Sequence, residues 1–310
     1  MLNRVAYSLV SALALLMIAA PSGWASASNQ CPPPGWTEES LAALKASQFE
    51  IADNLAREQF AQDVVACLAS PDPELRDGIA FEALSHMLRA DQLGTDVRAL
   101  IAQDLLARLN AEPGPSPDPG FERPFAALAL SEIVRADMIA AYLPPELRDA
   151  IADAAVAYMR AIDDYRGFDE GEGWRHGVAH AADLLMQLVR NKSVVGTERL
   201  VAIRDAVAAQ LSPPGHSYIY GEPERLMRPI IMLAQRGTFN EGEWVAWFEG
   251  ISAPAPFASW EEVFGSQAGL AKLHNLRAFL YAVWINARLS ESTDDDVLLA
   301  GAEAALRRIP

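Results

Sequence analysis

Apolar residues recur along most of the chain at steps of three and four, the spacing that lines one face of an α-helix. Leu75, Ile79, Ala83 and Met87 fall at steps of four, and Leu200, Ile203, Val207 and Leu211 follow steps of three and four. Runs of β-branched residues are scarce, and no segment reads convincingly as a strand. Breakers divide the apolar stretches. Ser70-Pro71-Asp72-Pro73 opens one helix, with Asp72 as its N-cap and Pro73 at the first helical position. Pro144-Pro145 opens a helix that runs through Ala161, and the stretch from Gly167 to Gly173 separates it from the next. Ser212-Pro213-Pro214-Gly215 ends a helix that begins near Thr197, and Pro113 to Gly120 forms a Pro-rich loop. The last long helix, roughly Gln267 to Leu289, is apolar on most sides and is expected to be central.

About eleven helices with short connectors follow from this pattern. The predicted fold is all-α: a HEAT-like superhelix of antiparallel helix pairs, with an α/α toroid as the alternative, which usually needs more helices. Nothing marks a domain boundary, so residues 28–310 are read as a single helical domain.

The start of the chain changes the picture of where this domain works. Residues 1–27 have the three parts of a secretory signal: Arg4, an apolar run from Val5 to Ala20 broken by Pro21, and the small residues Ala25-Ser26-Ala27 at the cleavage positions. The run is short for a membrane-spanning helix, which needs about 20 apolar residues. A lipid-anchored product is set aside, because Ser28-Asn29-Gln30 before Cys31 is no lipobox. An exported, periplasmic or secreted protein is therefore expected, with no membrane association after cleavage. In an oxidising compartment the two cysteines, Cys31 and Cys67, predict a disulfide, with a buried free Cys67 as the alternative. The formal charge of −16 argues against nucleic acid or an anionic membrane as partner, since both demand clustered Lys and Arg.

The densest polar stretch runs from Asp163 to Asp183. Read as helical from Trp174 onward, it puts His180 about 40° from His176 and Asp183 within about 20° of it, at about 100° per residue. All three then project from one face, and Gly177, Ala179, Ala181 and Ala182 leave space around them. Three readings stay open. His176 and His180 hold a divalent metal, with Asp183 as third ligand or tautomer-fixing acceptor. Alternatively, one histidine acts as a general base oriented by Asp183, in a pocket closed by the loop from Asp164 to Glu172. In the third, the three form a buried hydrogen-bonded network between helices. The zinc-protease helix is not supported, because Gly177 stands where its glutamate belongs. Glu170 and Glu172 beside Gly171 and Gly173 would repel a phosphate, and no Gly-x-Ser-x-Gly elbow exists.

A second polar stretch, His216 to Arg225, reads as a loop entering a helix at Pro223. Glu222 and Arg225 either pair with each other as a cap, which is favoured, or face a pocket. His274 is read as a satisfied core histidine, and Trp244, Trp247 and Phe248 as core.

Three stretches taken together resemble a bacterial family described as domain of unknown function 2785: Ser70 to Asp77, Arg166-Gly167-Phe168 leading into Gly173 to Asp183, and Tyr220 to Leu226. The likeness spans roughly residues 61–248, and Arg123-Pro124-Phe125 falls where that family has an Arg-x-Phe-containing helix. That family usually has Ala in place of Arg175 and often a histidine in place of Tyr220. The resemblance implies a helical fold and a shared pocket around His176, His180, Asp183, Glu222 and Arg225; it implies no activity. The expected function is binding of a small ligand or a protein partner through this pocket, with Arg166, Trp174, Tyr220, Glu222 and Arg225 as binding residues. The alternative is a hydrolase, metal-dependent or not, centred on His176, His180 and Asp183.

Overall fold

A computed structural model describes residues 30–112 and 119–310. The expected export signal and most of the Pro-rich loop lie outside the described residues. The fold is all-α, as its periodicity predicts. The helices are α1 (Glu38–Ala46), α2 (Asn54–Asp63), α3 (Glu82–Arg89), α4 (Thr95–Leu109), α5 (Glu122–Ile139), α6 (Pro145–Ala161) and α7 (Gly177–Arg190). They continue with α8 (Thr197–Ala209), α9 (Glu222–Gln235), α10 (Glu241–Ile251), α11 (Trp260–Val263), α12 (Gln267–Leu289) and α13 (Leu299–Arg308). Two 3₁₀ segments, Val64–Ala69 and Thr293–Leu298, and a π-helical segment, Glu74–Phe81, complete them. The count exceeds the expected eleven because short elements such as α11 lack the length to show a period.

Locally, the breakers act where the sequence puts them. Asp72 Oδ1 accepts from the Glu74 amide at 2.8 Å, so Asp72 caps the helical run whose stripe of Leu75, Ile79, Ala83 and Met87 is buried. Leu200, Ile203, Val207 and Leu211 are likewise buried, as are Trp244, Trp247 and Phe248. The disulfide between Cys31 and Cys67 is formed, with Cα atoms 5.0 Å apart, and ties the N-terminal arm to the segment Val64–Ala69.

The helices lie in two layers. One runs α5, α7, α9, α12, each packed on the next; α4, α6 and α8 lie side by side against it. Helix α7 is buried along nearly all its length. Ala126, Ala127 and Ala129 of α5 and Ala179, Ala181 and Ala182 of α7 are all buried, and such small side chains let packed backbones approach closely. The small residues of α7 thus seat its neighbours instead of leaving space around the histidines. Asp137, in the last turn of α5, knots this layer. It accepts from the amides of Tyr142 (2.9 Å) and Leu143 (2.8 Å), from Arg148 Nε (2.7 Å) and from Asn191 Nδ2 (2.7 Å). One carboxylate therefore joins α5 to the start of α6 and the end of α7.

Two expectations are corrected. Helix α12 has the expected bounds but is not enclosed: Leu270, Tyr281, Ile285 and Leu289 are exposed, because neighbours cover only one of its sides. And the chain between α6 and α7 does contain strands, β1 (Phe168–Asp169) and β2 (Gly173–Trp174), paired antiparallel with Phe168 opposite Trp174.

Candidate functional site

That hairpin builds the site. Asp169 Oδ1 accepts from the amides of Gly171 (2.8 Å) and Glu172 (2.9 Å), an Asx-type turn that reverses the chain. Gly173 follows at φ +74°, open to glycine at no steric cost. The ladder then continues beyond the strands, with Arg175 N donating to Gly167 O at 2.9 Å and His176 N to Arg166 O at 3.2 Å. Two arginines clamp the hairpin from outside. Arg76, fully buried, donates to Glu172 O at 2.7 Å and to Ser70 O at 2.9 Å, with its guanidinium 4.0 Å from the Phe121 ring centroid. Arg175, 4.3 Å from the same ring, donates to Pro119 O at 2.7 Å and to the Glu172 carboxylate at 2.6 Å.

Helix α7 consequently begins at Gly177, three residues later than expected, and His176 lies outside it. Its backbone is left-handed, at φ 55° and ψ 38°, a conformation costing about 1–2 kcal/mol for an L-residue. The helical-wheel argument therefore fails for His176, yet the kink brings its ring to His180, with centroids 5.9 Å apart. Trp174 stacks on His176 at 4.8 Å, and Phe168 and Tyr220 surround Trp174 at 5.0 and 5.6 Å. Tyr220 reaches this position across Gly167, where a Cβ would lie 2.0 Å from its ring.

Glu222 comes to the same place. Its Oε2 accepts from the Tyr220 amide at 2.9 Å and its Oε1 stands 3.9 Å from His176 Nε2. Glu222 and Arg225 do not pair as a cap; Glu222 turns to His176, and Arg225 to Asp183. Asp183 also meets Arg228 at 3.3 Å, so its carboxylate, shared between two arginines of α9, bolts α7 to α9. Among the described residues, no three or more His, Cys, Asp or Glu are placed to hold a metal.

Burial sets the electrostatics. It pushes His176 down to about 4 and His180 to about 3, with the Arg225 charge acting on both in the same direction. Burial raises the Glu222 carboxyl, and it raises that of Asp183 against the pull of Arg225 and Arg228. At neutral pH both imidazoles are uncharged. His176 Nε2 and His180 Nδ1 are buried and hydrogen-bonded to nothing among the described residues.

The predicted binding residues thus divide. Trp174, Tyr220, Glu222 and Arg225 gather around the histidines. Arg166 pairs with Asp164 at 2.5 Å and lines a separate cavity of about 730 Å³, bordered by Gly177 but by neither histidine. His274 is satisfied, at 3.2 Å from Tyr218 O, but exposed, not core. Sequence reasoning missed the clamping roles of Arg76 and Arg175, and it missed Tyr158 and Phe121 beside the cavity. The contacts by which the two arginines clamp, Arg76 to Glu172 O and Arg175 to Pro119 O, are distant in the chain, and no local pattern marks them.

No curated protein and no solved structure matches the chain. A family model described as "Protein of unknown function (DUF2785)" matches residues 106–285. That span holds the hairpin, both histidines and α9, and runs past the expected end near residue 248 into α12, while the Ser70 to Asp77 stretch falls outside it. The match covers more than half of the sequence, and the chain belongs to this DUF2785 family.

Proposed function

We propose that the protein is exported and binds a small polar ligand at His176, His180 and Glu222, with Trp174, Tyr220 and Arg225 at the rim. The observation that carries this reading is the pair of neutral imidazole nitrogens without a partner among the described residues, next to a carboxylate oxygen too far away to be that partner. Folded proteins rarely bury such groups unless something else uses them. The left-handed backbone at His176 supports the reading, since strain of this kind gathers at functional sites. A ligand with a flat face suits Trp174, whose exposed ring flanks the site. Exposed Phe168 and Ile219 nearby also suit a protein partner that inserts a polar side chain. The disulfide and the sequence of residues 1–27 support export.

Trp174 makes the test direct. A panel of monosaccharides, free amino acids and nucleosides is titrated while tryptophan emission is followed in the wild type, Trp174→Phe and His176→Ala. A binder changes emission in the wild type, loses that signal in Trp174→Phe, and binds about tenfold or more weakly in His176→Ala. A panel without responders, or responders indifferent to His176→Ala, defeats the proposal. A second reading, hydrolysis, rests on the uncharged His176 imidazole as a base, with the Glu222 carboxyl 3.9 Å from its Nε2 as a second acid–base group. It predicts turnover of nitrophenyl esters or phosphates that disappears in both His176→Ala and Glu222→Gln.

A further inference from the structure

We propose a second, independent ligand site: the cavity between the starts of α5 and α7 and the end of α6 binds a small organic anion, a carboxylate carried on an apolar body. At about 730 Å³ it has the size of a small-molecule pocket. Its walls are apolar at Phe121, Pro124, Ala161 and Ile162.

Two of its polar groups, Tyr158 and Arg123, are donors not taken up by a carboxylate among the described residues. Tyr158 is 5% exposed, lines the cavity, and its hydroxyl hydrogen-bonds to nothing among the described residues. Burial holds that phenol protonated far above its ordinary range, so it offers a proton to an acceptor. Arg123 spends its Nε on Leu109 O at 3.2 Å, and its guanidinium sits 4.8 Å from the Tyr158 ring centroid. It has no carboxylate partner among the described residues. Gly177 opens α7 onto the same space. His176 supplies no side-chain cap there, so the first-turn amides of this 14-residue helix have no capping side chain. A Cβ at Gly177 would stand 3.1 Å from Tyr158 Oη, so only glycine keeps the helix start and the hydroxyl this close without crowding.

The acidic residues around the cavity do not cancel this. Glu122 pairs with Arg108 at 2.9 Å, and Asp164 pairs with Arg166. Glu112 and Asp163 also line the cavity without an arginine partner among the described residues, but both are exposed, where solvent and salt screen their charge. Of the three arginines that line the cavity, Arg166 and Arg175 are matched by Asp164 and Glu172, which leaves Arg123 to meet a guest's charge. One bidentate acceptor reached by a guanidinium, a phenol and helix amides, with an apolar remainder, is the chemistry of a carboxylate amphiphile.

The test is calorimetric titration of the full chain with hexanoate, hexanol and inorganic phosphate. The proteins are the wild type, Arg123→Gln, Tyr158→Phe and His176→Ala. Hexanoate is expected to bind the wild type, about tenfold more weakly to Arg123→Gln and roughly threefold more weakly to Tyr158→Phe. His176→Ala retains its affinity, which separates this site from the one proposed above. Tyr158→Phe removes a hydroxyl that bonds to no protein group among the described residues, so its melting temperature is expected to stay at the wild-type value, which separates lost binding from misfolding. Hexanol binding as well as hexanoate overturns the proposal, as does phosphate binding more tightly. No hexanoate binding at millimolar concentration, or an affinity unmoved by Arg123→Gln and Tyr158→Phe, overturns it too.

Discussion

Burial keeps His176 and His180 uncharged at neutral pH, and this links their protonation to the stability of the whole fold. Their ordinary value is 6.5, and in the folded chain they lie at about 4 and about 3. Between those limits the unfolded chain takes up protons that the folded chain refuses. Stability is therefore complete above pH 6.5 and falls as pH drops through 6.5 toward 4, by about 2 kcal/mol per histidine at pH 5. Glu222 has the opposite sign: burial raises its carboxyl, so its protonation at low pH relieves a cost. Urea denaturation at pH 7 and pH 5 checks this. The loss on acidification should shrink in a His176→Asn, His180→Asn double variant, and an unchanged loss would show that the histidines are not the titrating groups.

Elements are joined by single buried side chains more than by surface ion pairs. Asp137 links α5, α6 and α7; burial alone would raise its carboxyl, and Arg148 with the Leu143 and Tyr142 amides holds it below the ordinary range. Removing the carboxylate in Asp137→Ala strands the Arg148 guanidinium and the amides that it serves. The expected loss is about 3–5 kcal/mol. The exposed pair of Arg308 and Glu249, at 2.9 Å, gives the contrast: Glu249→Ala should cost about 1 kcal/mol or less. Chemical denaturation of both variants measures the difference, and similar losses would contradict this account of what joins the layers. The same logic explains the late start of α7. Residues 174–176 have helix-compatible side chains, but the hairpin, held by Arg76 and Arg175, takes their backbone amides first.

For the molecule as a whole, the disulfide is the one covalent constraint among the described residues. It closes a loop between positions 36 residues apart, which lowers the entropy of the unfolded chain by about 3–4 kcal/mol in free-energy terms. Melting with and without reductant should therefore differ by several degrees, with a Cys31→Ser variant matching the reduced protein. Coincident melting curves would mean that the N-terminal arm contributes nothing to stability.

Much of this protein was legible before any coordinates. The stripes of Leu75 to Met87 and Leu200 to Leu211, the bounds of α12 and the cap at Asp72 are consequences of spacing and local hydrogen bonding, which neighbours in sequence settle among themselves. The cysteine pairing was legible because only one pairing exists. The site was legible in its membership but not in its arrangement. His176 meets His180 through a left-handed kink, not along a helix face, and Asp183 turns to an arginine 42 residues away. Those outcomes belong to tertiary structure, because each is a competition for partners. A carboxylate takes the nearest guanidinium in space, and an amide takes the first carbonyl brought within reach. Periodicity shows which face of a helix is apolar, but only packing brings together the groups that compete.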